Sequence, residues 1–214
     1  MQQLERNLPD ARCRYGPLVR TPVDVDPDAS PAGAGEGLDD VTLVMRARDG
    51  DVAAYEQLVR RYQGPMYRLA AGMLSSRADA EDVVQEVFLT AWRRLGQLQQ
   101  DAAFVGWLYR TTTNRCLNVI RARRSTTDIP LDEQEPGNPQ PGPERAIEVS
   151  EQMAALNTAL QGLTGEQRAC WLLREVHGRS YDEIALAVGT TRTAVRGRIA
   201  RARGQLAEVM APWQ

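Results

Sequence analysis

Residues 180–206 read SYDEIALAVGTTRTAVRGRIARARGQL, and the fold turns on how this stretch coils. Ser180 and Glu183 form an S-x-x-E capping box, which predicts a helix starting at Tyr181. Ile184, Ala185 and Val188 give that helix an apolar face at helical spacing. Gly189 stands where a left-handed residue ends a helix. Thr191 is then the N-cap of a second helix, in which Val195, Ile199, Ala202 and Leu206 recur at three- and four-residue steps. The other faces of that helix hold five arginines and no acid: Arg192, Arg196, Arg198, Arg201 and Arg203. A short helix, a glycine turn and a basic second helix are the parts of a helix-turn-helix, which lays its second helix in a DNA major groove. An amphipathic helical hairpin with a solvated basic face would carry the same pattern.

Immediately upstream, Thr164 and Gln167 predict another capped helix, with Ala169, Trp171, Leu172, Leu173 and Val176 along it and a turn at His177-Gly178. Before it, PERAIEVSEQMAALNTALQGL turns Ile147, Met153, Leu156, Leu160 and Leu163 inward. These segments make one helical domain over residues 143–210. Residues 125–142 hold Pro130, Pro136, Pro139 and Pro141 among acids and read as a flexible, partly polyproline-like linker. At about 3.1 Å per residue it reaches further than one DNA turn, so two tethered modules can occupy separate DNA sites.

Residues 39–124 are helical throughout. Val41, Val44 and Met45 mark a first helix, ended by Asp49-Gly50. Asp51 caps the next, with Ala54, Tyr55, Leu58, Val59 and Tyr62 inward, and Gly64-Pro65 is expected to break it. A further helix carries Met66, Leu69, Ala70, Met73 and Leu74. In DAEDVVQEVFLTAWRRL, Val83, Val84, Val87, Phe88, Ala91 and Trp92 face inward and Glu81, Asp82, Gln85 and Glu86 form an acidic outer stripe. GQLQQDAA is a polar connector, after which Phe104, Trp107, Leu108, Tyr109, Cys116, Leu117 and Ile120 lie along a last helix ending in RARR. Trp92 and Trp107 are expected in the core. Residues 1–38, rich in Pro, Gly, Asp and Ala, read as a disordered tail. The fold class is therefore all-α, two small helical domains joined by an acidic Pro/Gly-rich linker.

The net charge of -2 hides a segregation. Arg110, Arg115, Arg121, Arg123 and Arg124 form one basic run and the last helix another, whereas acids fill the tail and linker. All 26 basic residues are arginine, which suits phosphate and guanine contacts and equally suits a GC-rich genome. Cys13, Cys116 and Cys170 lie far apart with one histidine in the chain, which argues against a zinc site or disulfide framework and for reduced thiols in a cytosol. No apolar run approaches the ~20 residues of a membrane span, and no secretory signal opens the chain. No catalytic constellation or cofactor motif stands out: neither a phosphate-binding glycine loop nor metal-spaced carboxylates are present.

Two stretches together resemble the sigma-70 family of bacterial transcription initiation factors, in its compact extracytoplasmic-function form. DAEDVVQEVFLTAWRRL with FVGWLYRTTTNRCLNVIRARR is similar to that family's region 2, and GLTGEQRACWLLREVHGRSYDEIALAVGTTRTAVRGRIARARGQL to its region 4. The linker has no room for an intervening domain, which matches the compact group rather than housekeeping sigma factors. The resemblance implies that Asp82, Gln85 and Glu86 dock on the clamp helices of the RNA polymerase largest subunit, with the flap of the second-largest subunit as a further contact. It implies that Leu98, Gln99, Gln100, Asp101 and Phe104, with Asn114, capture a base flipped from the −10 element, at a cost of a few kcal/mol that the pocket must offset. Arg115, Arg121, Arg123 and Arg124 would hold phosphates. Arg196, Gly197, Ala200 and Arg201 match the −35 recognition positions, with guanine edges read by the two arginine forks. Gly197 stands where the family usually has serine and Ala200 where a larger residue is common, so shape readout gains weight. Arg192, Arg198 and Arg203 are assigned to phosphate or solvent. The resemblance also implies an anti-sigma partner and a cytoplasmic, non-enzymatic role. The competing readings are an ordinary helix-turn-helix regulator independent of polymerase, and a small all-helical enzyme.

Overall fold

The computed structural model describes residues 38–126 and 155–210. Ser125 and Thr126, expected to open the linker, instead belong to a helix, and residues 1–37 and 127–142 of the expected tail and linker, with Cys13, Ile147 and Met153, lie outside the described residues. Every described element is helical. Helix α1 (Asp40–Arg48) starts where Asp39 accepts the Thr42 N–H at 2.7 Å, and it ends at Gly50, whose φ of +94° is open to glycine. α2 (Val52–Met73) is capped by Asp51, which accepts the Ala54 N–H. α3 (Arg77–Arg94) starts at Ser76, and two short 3-10 turns, Leu95–Gln97 and Asp101–Ala103, lead into α4 (Phe104–Thr126).

One expected break in this half is corrected. Gly64-Pro65 does not divide α2: Pro65 lies inside one continuous helix. A proline in a helix interior costs about 3 kcal/mol, whereas burying a Met or Leu side chain contributes about 1.5–3 kcal/mol. Met66, Leu69 and Met73 beyond the proline are all fully buried and in phase with Leu58 before it, so packing outweighs the local break. On α1, Val41 and Met45 are exposed; Leu43, Val44 and Ala47 are the residues that meet α2.

α2 packs against α1, α3 and α4. Its side chains join Val87, Phe104, Leu108 and Cys116 in a dry core, and the Tyr55 hydroxyl donates to the Phe88 carbonyl at 2.5 Å. The second half is described as α5 (residues 155–162), α6 (Gly165–Trp171), α7 (Tyr181–Val188) and α8 (Arg192–Met210). Both predicted capping boxes are present, Thr164 with Gln167 and Ser180 with Glu183. Gly189 leaves α7 at φ +70°, and Thr191 accepts the Ala194 N–H to start α8. Ile184, Val195, Ile199, Ala202 and Leu206 are buried as expected.

The helix expected to run to Val176 instead ends at Trp171 and continues as a π-helical turn, Leu172–Val176. That wider turn is closed by the His177 N–H on the Leu172 carbonyl, and it lets Leu172 and Leu173 both stay buried.

The two halves touch directly. α4 packs on α7 and α6, and α2 meets the π turn. A Cβ at Gly72 would lie 2.9 Å from Leu172, and one at Gly165 would lie 3.2 Å from Leu117, so glycine at both positions permits the close approach. Arg168, 4% exposed, crosses between the halves and donates to the carbonyls of Met73 at the end of α2 and of Leu160, Gln161 and Leu163 at the end of α5, with the Gln161 side-chain oxygen as a further acceptor.

Candidate polymerase- and nucleic-acid-binding surfaces

α3 presents a stripe of exposed side chains opposite its buried face. Asp82, Gln85 and Glu86 are exposed as expected, and Leu89 (45% exposed) and Trp92 (40% exposed) continue the row. The placement of Trp92 in the core is therefore corrected. At about 100° per residue, Trp92 stands only about 20° around the helix from Gln85, outside the arc that α2 and α4 cover. Its ring rests at the edge of the core, 4.8 Å from that of Tyr55. Leu89, which the sequence reading passed over, belongs to the same face because it follows Gln85 by four residues and Glu86 by three. Two large apolar side chains rimmed by acids have the composition of a docking surface rather than of a solvated face.

The loop from Leu98 to Ala103 is held by α1. Arg48 donates to the Leu98 carbonyl at 2.9 Å and pairs with Asp101, a role no local motif announced. Gln99 and Gln100 are exposed beside it, and Asn114 is exposed on α4. Phe104 is fully buried against Tyr62, ring centroids 6.4 Å apart. It fixes the loop from below and does not offer a surface on which a base can stack, which corrects its place in the capture set. Arg115 pairs with Glu86 at 2.7 Å, Arg121 donates to Asn118 at 3.1 Å, and Arg123 pairs with Asp79. Exposed pairs of this kind are worth about 0–1 kcal/mol. The Arg124 side chain lies outside the described residues.

On α8, Arg196, Ala200 and Arg201 are exposed. The Arg196 guanidinium lies 5.6 Å from the centre of the Tyr181 ring, and Arg174 lies over the same ring at 4.9 Å. Arg201 lies back along the helix across Gly197, where an added Cβ would sit 3.6 Å from its guanidinium. Arg192 is 3.5 Å from Asp182 and Arg203 2.6 Å from Glu175, both at the surface. Arg198 differs. Its side chain is 20% exposed and pairs with Glu166 of α6, so the structure gives it to the join between helices rather than to solvent or phosphate.

His177 sits where the halves meet. Its Nδ1 is 3.4 Å from the Tyr109 hydroxyl, and its Nε2 is buried with no hydrogen-bond partner among the described residues. Arg179 stacks on the other part of this contact, 4.0 Å from the Tyr109 ring centre. Burial first, then the charges of Arg68 and Arg179, push the His177 pKa down to about 4. The packed state thus holds the neutral ring, while an exposed ring binds a proton below about pH 6.5. Stability is complete above that pH and should fall as pH drops from 6.5 towards 4. Urea unfolding at pH 7 and pH 5 should show a loss, in excess of that in His177→Phe, of at most tenfold in the folding constant per pH unit.

Known proteins give these surfaces a context. A model of sigma-70 region 2 matches residues 58–126, and a model of sigma-70 region 4 matches residues 153–206. The extracytoplasmic-function (ECF) RNA polymerase sigma factor SigE of Mycolicibacterium smegmatis is 36% identical over 192 residues, 87% of this chain and 71% of that protein. The ECF sigma-E factor of Escherichia coli K12 is 35% identical over 177 residues, 78% of this chain and 92% of that one. The chain belongs to the sigma-70 family, in its ECF group.

This sigma factor is a transcription initiation factor; the family acts without catalysing a reaction of its own. Solved structures agree on the fold. CnrH, in complex with the cytosolic domain of CnrY, superposes with a TM-score of 0.61 at 27% identity, over 81% of this chain and 97% of that one. RpoE of Bartonella quintana, in complex with the anti-sigma factor NepR, gives 0.60 at 22% identity, over 75% and 98%. Among the described residues no helix is long and apolar enough to cross a membrane, and no group of metal-ligating side chains is present.

Proposed function

We propose that this sigma factor docks on core RNA polymerase through the α3 stripe, captures the −10 element with the loop after α3, and reads the −35 element with α8. On this reading residues 39–124 and 143–210 are the two working modules and 125–142 the tether. Asp82, Gln85 and Glu86 face a basic coiled coil such as the clamp helices of the largest subunit, and Leu89 and Trp92 provide the apolar centre. The second module also meets the flap of the second-largest subunit.

Leu98 to Asp101 and Asn114 take the opened strand, while Arg115, Arg121, Arg123 and Arg124 hold phosphates. Arg196 and Arg201, which no ion pair engages among the described residues, read base edges. Arg192 and Arg203 hold the flanking backbone after leaving weak surface pairs. An anti-sigma protein is the expected regulator, as one accompanies the RpoE structure. The observation that carries the reading is the α3 stripe: exposed Leu89 and Trp92 beside three polar and acidic residues, in a chain that also bears a helix-turn-helix.

The test is reconstitution. The purified chain, added to sigma-free bacterial core polymerase, should give discrete transcript starts on genomic DNA. Tight promoter binding without polymerase, and no transcript with it, would identify an ordinary regulator instead. Arg196→Ala should cost about 1–3 kcal/mol of promoter affinity and relax selectivity within the −35 element. Competition binding against −35 variants measures it, and equal weakening on all sequences would make Arg196 a phosphate contact.

A further inference from the structure

The arginines of α8 differ in what holds them. Arg192, Arg198 and Arg203 each face a carboxylate, of Asp182, Glu166 and Glu175 in turn. Arg196 has no carboxylate partner among the described residues. Its guanidinium lies instead 5.6 Å from the centre of the Tyr181 ring, at the start of α7. The same ring takes a second guanidinium at 4.9 Å, that of Arg174 in the π-helical turn. Arg174 is itself tied down, because it donates to the Arg179 carbonyl at 3.0 Å. Tyr181 and Arg174 are half-buried, whereas Arg196 is exposed.

We infer that Tyr181 is a specificity-determining residue that acts through Arg196, its ring restraining the guanidinium as a reader of a guanine edge. The inference rests on the proposed function, in which Arg196 reads the −35 element. A carboxylate holds an arginine by its N–H donors, the same ones that guanine O6 and N7 accept, and it sets a negative charge beside DNA phosphates. A ring attracts the cation through its quadrupole and occupies no particular N–H. Arg196 is thus restrained while its fork stays free, and less rotamer freedom is lost when a base is met. Arg174, anchored on a backbone carbonyl, steadies the ring. The advantage counts only on sequences where Arg196 meets a matching base. The ring therefore raises selectivity and leaves general affinity alone.

Tyr181 can be changed without dismantling α7. Ser180 and Glu183 cap that helix, and Ile184 and Ala187 are its buried residues. Tyr181→Phe keeps the ring and loses only the hydroxyl; Tyr181→Ala loses both.

The experiment uses the full-length chain assembled with core polymerase, and promoter fragments taken from mapped transcript starts. Competition binding gives the ratio of affinities for the intact −35 element and for one with its guanines replaced. Tyr181→Ala should lower that ratio about two- to fivefold, with thermal melts unchanged, and Tyr181→Phe should keep it. In a chain already carrying Arg196→Ala, Tyr181→Ala should lower it no further. In the free protein, the order parameter of the Arg196 Nε–H should fall in Tyr181→Ala and hold in Tyr181→Phe.

A ratio unmoved by Tyr181→Ala, where Arg196→Ala does lower it, would overturn the inference. So would an equal fall in Tyr181→Phe, which would give the role to the hydroxyl, or a further fall in the double variant, which would put the ring itself on DNA. An Arg196 Nε–H as mobile in the unaltered chain as in Tyr181→Ala would remove the restraint. A ratio that Arg196→Ala itself leaves unchanged would instead refute Arg196 as a base contact, and the inference with it.

Discussion

Arg168→Ala should destabilise the folded chain by about 3–5 kcal/mol, a fall in melting temperature on the order of 10 °C. The guanidinium is almost fully buried, and it is held by the carbonyl ends of α2 and α5. Helix C-termini carry partial negative charge and unpaired carbonyls, so two of them converging make a site for one planar, multiply donating cation. Alanine removes every donor at once and leaves those carbonyls buried without partners. Lysine should not restore stability, because a point-like ammonium cannot reach carbonyls on two helices together. Urea unfolding of both variants decides the matter. A loss below about 1 kcal/mol would mean that water replaces the guanidinium.

Trp92→Ala should separate binding from folding. The ring is 40% exposed and packs only at the edge of the core, so its removal should cost the chain little stability. A tryptophan at the centre of a protein interface is commonly worth 2 kcal/mol or more, so affinity for core polymerase should fall about 30-fold or further. Leu89→Ala should act in the same direction by less. Titration of labelled core enzyme, with thermal melts alongside, reads both quantities. Unchanged affinity would remove the apolar half of the α3 stripe from the docking surface.

What the sequence made legible was local. Ser180 with Glu183, Thr164 with Gln167, Gly189 and Thr191 each act on backbone groups three or four residues away, and the structure has all of them where spacing put them. The apolar row on α8 was equally readable, because a strict three-and-four repeat needs no knowledge of its partner. Failures came where the deciding neighbour is remote. Pro65 looked like a break because a local rule says so, and packing of residues on either side overrode it. Trp92 was assigned to the core because size and hydrophobicity favour burial, while the extent of the covered arc depends on α2 and α4. Arg168 drew no notice at all: it donates to a carbonyl 95 positions earlier in the chain, and nothing in the residues around it forecasts that partner. Arg198 shows the same limit inside the site, since its sequence neighbourhood matches that of the outward arginines and only Glu166 on another helix distinguishes it.

Arg48 carries a last implication. It grips the Leu98 carbonyl and Asp101 from α1, and α1 lies wholly ahead of residues 58–126, where the likeness to region 2 begins. The shape of the loop we propose to capture the opened strand is thus set from beyond the stretch by which its kin are recognised. Two chains indistinguishable across that stretch can present different loops to the same promoter, according to the residue that occupies one position in the helix before it.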